Sequence, residues 1–415
     1  MKTYKIVTLG CRTNQYESQA LANQLVKKGY VEVQEGEKAS VCIVNTCTVT
    51  ESADKRSFYQ IRKMVRDYAP ETLVVTGCLA ESLKKDLEAI HGVTHVIPNH
   101  SKEDLLLSVF PDVEWPEFKI ERFEARTRAF VKIQDGCNSY CSYCVIPFVR
   151  GRSRSRTIPD ILKEIKDLVA GGYKEVVLTG INIGDFDGAQ VPAASLADLV
   201  QEVDQISGLE RVRISSIDPD EVGDSLIEAI LSGTKTAPSL HLVLQSGSNI
   251  TLKRMRRKYT KQNFFDVAER LFRASPMFTL TTDVIVGFPG ETEEEFQETL
   301  DVLSRIPFAK VHVFPYSDRP KTRASRMPNK IPLDVIQKRK ALLLKRAEAC
   351  AYQLREHFIG RSLSVLLEEE GKPGYFFGHT ENFLPVYISK KNLITNTLVQ
   401  VKCVDNTPEG LIGEH

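Results

Sequence analysis

The chain has 415 residues, of which 42% are hydrophobic, and this length accommodates about two to four domains with sizeable cores. Its 55 Lys and Arg residues balance 54 Asp and Glu residues, so net charge gives no argument for a nucleic-acid partner, and any basic site must be local. The sequence has neither a signal-peptide pattern nor an apolar run near the roughly 20 residues that cross a bilayer. Its nine cysteines therefore predict metal-bound thiolates in a reducing cytoplasm, rather than a disulfide framework.

Residues 1–120 alternate between strand and helix patterns. Strands are predicted at residues 4–9, 41–45 and 73–77, with a helix at residues 17–28, and this alternation predicts a doubly wound parallel sheet. Cys11, Cys47 and Cys78 each follow one of these strands, and the carboxyl ends of parallel strands gather ligand sites. The three thiols are therefore predicted to hold a metal cluster, with three unrelated buried cysteines as the alternative. Residues 113–126 are predicted to be a linker.

Cys137, Cys141 and Cys144 form a compact group with the spacing C-x3-C-x2-C. Three thiolates in one loop can ligate three irons of a [4Fe-4S] cluster and leave the fourth iron open to a small molecule. Zinc usually takes four protein ligands in two pairs, and no matching pair follows. A disulfide requires an oxidising compartment, of which the sequence shows no sign. The spacing favours an iron-sulfur cluster at a reactive site.

Residues 122–355 contain six strand patterns, at 129–134, 175–179, 211–215, 240–245, 280–286 and 309–314. With helices between them, they predict a partial (β/α)6 barrel whose active site lies at the carboxyl ends of its strands. Candidate cofactor-binding residues near those ends are Gly180, Asn182, Ser215, Gln245, Asp283, Val286 and Phe314. An ordinary turn at Gly180 and core packing of Val286 fit the same positions.

Basic residues cluster after three of these strand ends despite the neutral total. Solvated surface charge is the usual meaning of such runs. Their shared position at the mouth of the predicted barrel favours contacts with RNA phosphates. The candidate residues are Arg150, Arg152, Arg154, Arg254, Arg256, Arg257 and Arg323.

The C-terminal part begins after a long helix predicted at residues 334–355. Short alternating patterns at residues 361–368, 375–380, 384–388 and 398–404 predict a small antiparallel β-barrel over residues 356–415. A structural cap on the central barrel and an RNA-binding module are both compatible with this pattern.

The two cysteine groups together resemble the radical S-adenosylmethionine (AdoMet) methylthiotransferases, over essentially the whole chain. The compact group has an aromatic residue, Tyr143, before its last cysteine, and the N-terminal signatures are Leu-Gly-Cys11-Arg-Thr-Asn, Asn-Thr-Cys47-Thr-Val and Thr-Gly-Cys78-Leu-Ala. The resemblance implies that Cys137, Cys141 and Cys144 hold a [4Fe-4S] cluster that chelates AdoMet, and that the other three cysteines hold an auxiliary [4Fe-4S] cluster. It also implies AdoMet contacts at the strand ends and an RNA-binding TRAM domain at residues 356–415.

The reaction implied by this resemblance adds a methylthio group to an unactivated C–H position through an adenosyl radical. The family acts on threonylcarbamoyladenosine in tRNA, isopentenyladenosine in tRNA, or an aspartate of a ribosomal protein. The arginine-rich segments at 148–156 and 254–260 most resemble the threonylcarbamoyladenosine branch, and arginine suits a nucleotide that bears a carboxylate.

The expected partners are a tRNA anticodon loop, an external electron donor and a sulfur source, for a monomeric enzyme. A non-catalytic iron-sulfur protein that binds RNA or carries electrons is the alternative from another class. The candidate cofactor-binding residues at the strand ends argue against this alternative, because an electron carrier needs no AdoMet pocket.

Overall fold

A computed structural model describes residues 2–121, 127–372, 374–389 and 393–415. Residues 122–126, the end of the predicted linker and the start of the predicted central region, lie outside the described residues. No helix in the described ranges is long and apolar enough to span a membrane.

The N-terminal sheet is five-stranded and parallel, with the order β2-β1-β3-β4-β5. Its strands are β1 (Thr3–Thr8), β2 (Val31–Glu32), β3 (Val41–Thr46), β4 (Thr72–Gly77) and β5 (His95–Ile97). Its helices are α1 (Arg12–Lys27), α2 (Glu51–Tyr68), α3 (Cys78–Ser82), α4 (Lys84–Glu88) and α5 (Leu105–Val109). The central strand β3 is buried along its whole length, with a separate apolar cluster on each face of the sheet, as the prediction of a doubly wound sheet requires.

The strand order reverses between β1 and β3, which is where sheets of this topology bind ligands. Cys11 follows β1 and Cys47 follows β3, so two of the predicted metal ligands lie at this point. Helix α1 begins at Arg12, five residues earlier than predicted, since its buried residues start at Thr13 while its apolar periodicity starts later.

The central region is an open barrel of parallel strands. Its strands are β6 (Arg128–Lys132), β7 (Gln134–Asp135), β8 (Arg154–Ser155), β9 (Glu175–Thr179), β10 (Arg211–Ile214), β11 (Ser216–Ile217), β12 (Ser239–Leu242), β13 (Thr279–Val286) and β14 (Phe308–Pro315). Two parallel sheets, β10-β9-β6 and β11-β12-β13-β14, meet where β11 continues β10. The antiparallel pair β7-β8 lies beside them and brackets the compact cysteines. The predicted six-repeat partial barrel is confirmed.

The helices of this region alternate with its strands and form the outer layer. They are α6 (Ile146–Val149), α7 (Ile158–Ala170), α8 (Leu196–Asp204), α9 (Asp224–Ser232), α10 (Asn249–Arg254), α11 (Lys261–Ala274), α12 (Glu293–Arg305) and α13 (Leu333–Glu356). A capping box formed by Thr292 and Glu295 opens α12, and the long helix predicted at residues 334–355 is α13. Short 3-10 turns occur at 99–101, 183–185, 219–221 and 324–326.

The C-terminal strands form a closed barrel with the order β15-β16-β17-β19-β18. They are β15 (Ser362–Glu370), β16 (Tyr375–Thr380), β17 (Pro385–Ser389), β18 (Leu398–Asn406) and β19 (Leu411–Glu414). The prediction of a small barrel is confirmed, with one correction. The unpredicted strand β19 pairs in parallel with β17, and this pairing closes the barrel.

Buried charges attach this C-terminal barrel to the base of the central barrel, where the strands begin. The fully buried Glu175 accepts hydrogen bonds from Arg211 and Arg213, at 3.1 and 2.6 Å. Arg213 also donates to the carbonyl oxygens of Thr380 and Glu381. The C-terminal barrel therefore lies at the opposite end from the strand carboxyl ends.

Candidate active site

The three compact cysteines lie in a loop that is held by backbone hydrogen bonds from several sides. The Cys137 N–H donates to the Gly151 carbonyl at 3.2 Å, and Ser142 bonds through its backbone to Met255 and Ala324 at 2.9 and 2.7 Å. Burial raises the pKa of Cys144 to about 12, and the neighbouring Cys141 and Cys137 raise it further. We call Cys137, Cys141 and Cys144 the compact trio.

The structure also brings together Cys11, Cys47 and Cys78, which we call the dispersed trio. A Cβ on Gly10 would lie 2.8 Å from Cys47 Cβ, so glycine allows the first cysteine loop to approach the second. The Asn14 amide donates to the carbonyls of Leu9 and Thr46 and joins the two loops. Burial raises the pKa of Cys47 to about 11, and Cys78 and Cys11 raise it further.

The edge of the N-terminal sheet that carries the dispersed trio packs against the segment that follows the compact trio. Cys78 packs against Val145, Ile146 and Val149, which directly follow the compact trio. Asn99, from the N-terminal unit, donates to the Val149 carbonyl at 2.8 Å. The sheet edge and the barrel mouth therefore enclose one site.

A buried charge network fixes this arrangement; its members are Glu17, Lys102, Lys132, Asp135 and Arg150. The Arg150 guanidinium donates to Glu17 and Asp135 at 3.0 and 2.8 Å, and Lys102 lies 2.6 Å from Glu17. Burial raises the pKa of Glu17, but Arg150, Lys102 and Lys132 outweigh it and hold that pKa well below its ordinary value. The prediction that Arg150 contacts RNA is wrong, since its side chain is 1% exposed and cross-links the two halves of the site.

The spacing of the thiols suits a cluster rather than a single zinc ion. Two thiolates on tetrahedral zinc, at Zn–S about 2.3 Å, lie roughly 3.8 Å apart. Among the described residues, the set whose metal-binding atoms all lie within 4.8 Å of one another is His241, Asp283 and His312, and neither trio belongs to it. In each trio, at least one pair of sulfur atoms therefore lies more than 4.8 Å apart, which is farther than two thiolates on one zinc ion.

A mostly apolar cavity of about 200 Å³ adjoins the compact trio; we call it the mouth cavity. Its lining includes Cys144 and three of the predicted cofactor residues, Gln245, Asp283 and Phe314. Among the described residues, the buried Oε1 of Gln245 has no hydrogen-bond partner, and neither has the buried Oγ of Ser215, which lies outside the lining of this cavity. Unpaired buried polar atoms are rare in native proteins, so these residues fit a cofactor with hydrogen-bonding groups.

The other predicted cofactor residues do not line this cavity. A Cβ on Gly180 would lie 2.9 Å from the Gln134 carbonyl oxygen, so this glycine allows the loop to pack on β7. Asn182 donates to Glu221 at 2.8 Å. Val286 is fully buried in the main core, the packing alternative raised for it above.

The remaining predicted RNA contacts divide into exposed and engaged arginines. Arg152, Arg154, Arg256 and Arg323 are exposed, and of these Arg154 also pairs with the buried Asp135 at 2.8 Å. Arg257 is not, since its side chain is 6% exposed and paired with Asp218, so the RNA prediction is wrong for it. Its Nη1 donates to Cys141 Sγ at 2.9 Å.

Arg254 is also engaged within the protein. It donates to Glu295 and to the Gly290 carbonyl, where it braces the turn after β13. Like Arg257, it belongs to a basic run whose partners lie far away in the sequence.

Alternation along the strands would have pointed to two further residues that the sequence analysis missed, His241 and His312.

Comparison with known proteins places this site in a family. Residues 3–98 match the model described as uncharacterized protein family UPF0004, and residues 131–303 match the radical SAM superfamily. A threonylcarbamoyladenosine tRNA methylthiotransferase MtaB from Chlamydia pneumoniae is 46% identical, with 99% of this chain and 98% of the relative covered. This chain belongs to the radical AdoMet methylthiotransferase family. The family implies AdoMet and a [4Fe-4S] cluster as cofactors.

Other relatives of this methylthiotransferase differ in the substrate that their names give. An MtaB from Bacillus subtilis is 37% identical, covering 97% of this chain and 94% of that protein. A tRNA-2-methylthio-N(6)-dimethylallyladenosine synthase from Caldicellulosiruptor saccharolyticus is 35% identical, covering 97% and 88%. The solved radical AdoMet methyltransferase TsrM from Kitasatospora setae shares the fold at a TM-score of 0.57 and 14% identity, over 78% of this chain and 77% of that one.

Proposed function

We propose that this methylthiotransferase modifies C2 of N6-threonylcarbamoyladenosine at position 37 of tRNA, with two [4Fe-4S] clusters and AdoMet. The observation that carries the proposal is the convergence of six cysteines, in two trios, on one space. The relatives that are 46% and 37% identical carry this substrate in their names. In the proposed division, residues 1–120 hold the auxiliary cluster, residues 122–355 form the radical core and residues 356–415 form a TRAM-like RNA-binding domain.

In this proposal each trio holds one cluster. Cys137, Cys141 and Cys144 hold the cluster that binds AdoMet, and Cys11, Cys47 and Cys78 hold the auxiliary cluster. When bound, these groups supply the radical and the methylthio sulfur. The Arg257 hydrogen bond to Cys141 Sγ stabilises the thiolate that a metal ligand requires.

The mouth cavity is the proposed position of AdoMet. The Gln245 Oε1, which has no hydrogen-bond partner among the described residues, is suited to its polar groups, and Phe314 offers an apolar face. Asp283, half-buried at the same cavity, accepts hydrogen bonds from a cationic amine or ribose hydroxyls. Gly180 and Asn182 shape the loop after β9, and Val286 packs in the main core.

Water exclusion follows from the cavity walls. Val49 and Thr50 from the N-terminal unit, and Tyr143, Ile285 and Tyr316 from the barrel, line the mouth cavity. A reactive radical requires such a dry, fixed geometry, since misplacement of reacting groups by about 1 Å can cost roughly 100-fold in rate.

The proposed RNA surface is the rim around the compact trio. Ser142 bonds to Met255 and Ala324, so the neighbouring exposed residues Arg256 and Arg323 flank the cysteine loop. Arg152 follows Gly151, whose carbonyl accepts from Cys137, and Arg154 is exposed nearby. Together they suit the phosphates of an anticodon loop. An external electron donor and a sulfur source complete the set of partners.

Nucleoside mass spectrometry tests the proposal. Anaerobically reconstituted protein is incubated with AdoMet, a reductant and tRNA from a strain that lacks this activity. We expect 2-methylthio-threonylcarbamoyladenosine, lost in Cys47→Ala and in Cys141→Ala. Cys42→Ala is the matched control, because Cys42 is buried within β3.

Three outcomes contradict the proposal in different ways. Methylthiolation of dimethylallyladenosine instead would assign the second substrate named among the relatives. Formation of 5'-deoxyadenosine without any tRNA product would redirect the search to a protein substrate. No AdoMet cleavage from protein with both clusters loaded would favour a non-catalytic role.

A further inference from the structure

A second cavity, of about 240 Å³, lies inside the barrel and nearer its base; we call it the lumen cavity. It is lined by residues of all three parts of the chain, including Arg12 and Gln15 from α1, His241 and His312 from the barrel, and Phe383 from the C-terminal barrel. Sites for whole small molecules usually measure about 300–1,000 Å³. A cavity below this range suits one substituent of a larger ligand.

The lumen cavity adjoins the proposed reaction site on two sides. Arg12 directly follows Cys11 of the dispersed trio. His312 is paired in register with Asp283, and Asp283 lines the mouth cavity. The substituent of a nucleobase that is bound between the two trios would therefore reach this cavity.

The positively charged residues that line the lumen cavity favour the binding of an anionic group. Arg12, Arg128 and Arg213 line the lumen cavity, and its described lining residues include no carboxylate. Arg128 and Arg213 are paired with Glu368 and Glu175. Arg12 is exposed, with its guanidinium carbon 5.7 Å from the Phe130 ring centroid, and a guanidinium can grip a carboxylate with two hydrogen bonds.

Further polar groups lie beside this charge. His241 Nε2 lies 3.4 Å from the Asp283 carboxylate, and His241 Nδ1 lies 2.9 Å from Thr281 Oγ1. The buried Oε1 of Gln15 has no hydrogen-bond partner among the described residues. Burial lowers the pKa of His312 despite the nearby Asp283 carboxylate. A neutral imidazole offers one donor and one acceptor, which suits hydroxyl and ureido groups.

We propose that the lumen cavity binds the threonylcarbamoyl group of the substrate, with Arg12 holding its carboxylate and with His241 and His312 bonding its uncharged polar groups. This inference rests on the proposed function and adds the residues that select the substrate. A dimethylallyl group makes none of these hydrogen bonds, and a site built to hydrogen-bond a substrate rejects analogues that leave its polar groups unpaired.

The test compares tRNAs that differ only at position 37, carrying threonylcarbamoyladenosine or adenosine. The variants are Arg12→Met, Arg12→Lys and His312→Phe, and the matched control is Arg66→Met, an exposed arginine of α2 paired with Asp67. Binding is measured without reductant, and turnover and uncoupled AdoMet cleavage are measured with it. Iron, zinc and manganese are quantified in every preparation.

We expect the wild type to prefer the threonylcarbamoyl tRNA and Arg12→Met and His312→Phe to lose that preference by about 10- to 100-fold. Arg12→Lys should recover part of it. Cluster iron should stay at the wild-type level in His312→Phe, which keeps the test valid if Arg12→Met perturbs the adjacent Cys11. Uncoupled AdoMet cleavage should stay at the wild-type level in the control Arg66→Met.

Two results would overturn the inference while the proposed function stands. In one, the wild type modifies threonylcarbamoyladenosine, and Arg12→Met and His312→Phe both keep the wild-type preference for the threonylcarbamoyl tRNA. In the other, His312→Phe loses one equivalent of a metal ion beyond the cluster iron, because His241, Asp283 and His312 also have the spacing of a single-ion site. A wild type that leaves threonylcarbamoyladenosine unmodified would instead refute the proposed function itself.

Discussion

Replacing Arg150 by leucine tests the interpretation that the buried charge network holds the two halves of the site together. Arg150 donates hydrogen bonds to both Glu17 of α1 and Asp135 of β7, whereas Lys132 lies 3.7 and 3.9 Å from the same two carboxylates. Leucine fills part of the same volume but leaves both carboxylates in the interior. The expected result is a less stable protein in which the N-terminal unit and the barrel separate more readily.

The expected loss of stability depends on which cations still pair with Glu17 and Asp135 in the variant. Removing one partner of a buried ion pair costs about 3–5 kcal/mol. Lys102 still lies 2.6 Å from Glu17, and Arg154 lies 2.8 Å from Asp135, so the lower end, about 3 kcal/mol, applies. With an unfolding entropy of about 2.1 cal/mol/K per residue over residues 2–356, this loss lowers the melting temperature by roughly 4 °C.

Thermal unfolding of metal-free protein, followed by circular dichroism, measures this change without a contribution from the clusters. Arg152→Leu is the matched control, since this exposed arginine lies two residues away and surface substitutions usually shift stability by no more than about 0.5 kcal/mol. A second series at lower pH tests the electrostatic cause.

The stability difference between wild type and variant should change with pH in a definite direction. The folded-state pKa values of Glu17 and Asp135 are depressed, so their stabilising contribution is present above the unfolded pKa and is lost as pH falls toward the folded values. In Arg150→Leu these pKa values rise, so the gap between wild type and variant should narrow from pH 7 to pH 4. A variant that melts within about 1 °C of wild type at pH 7, or a gap independent of pH, would refute the reasoning.

Three further predictions concern the cysteines and a buried carboxyl. Gly77→Ala should lose about half of the cluster iron, because Gly77 directly precedes Cys78, its φ is +98° and a Cβ would lie 2.4 Å from the Thr46 carbonyl oxygen. Gly29→Ala is the control for iron analysis, since Gly29 has a φ of +81° and a Cβ there would have no atom of the described residues within 4 Å. Arg257→Gln should lower the reduction potential of the compact-trio cluster in an electron paramagnetic resonance titration, by at most about 20–60 mV for one lost hydrogen bond, and an unchanged or higher potential would contradict the role of Arg257. Burial raises the pKa of Glu221 to about 7, above its unfolded value, so wild-type stability should fall as pH rises from about 4.5 to 7. Glu221→Gln should remove this fall in thermal melts, and an identical pH profile would show that Glu221 is not its source.

The sequence was most informative where structure depends on neighbours along the chain. The spacing of Cys137, Cys141 and Cys144 is itself local, and the strands before Cys11, Cys47 and Cys78 have clear apolar patterns, so the topology of a parallel sheet was enough to predict their meeting. Strand β19 was missed because it has four residues and no alternation long enough to recognise.

The roles of charged side chains were less predictable, since their partners are distant in sequence. Glu17 lies 133 residues before Arg150, and Cys141 lies 116 residues before Arg257. A run of arginines looks the same in sequence whether its members face solvent or an internal carboxylate. Only the packed structure separates Arg150 and Arg257 from the exposed Arg152 and Arg256.

The attachment of the C-terminal barrel limits how freely this part can be exchanged between relatives. Its residues Thr380 and Glu381 accept hydrogen bonds from Arg213, and Phe383 forms part of the lining of the lumen cavity. A chimera carrying another C-terminal barrel would have to preserve this loop, and a truncation before β15 would admit solvent to the barrel interior. Changes in a segment far from both cysteine trios can therefore alter which nucleosides the enzyme accepts.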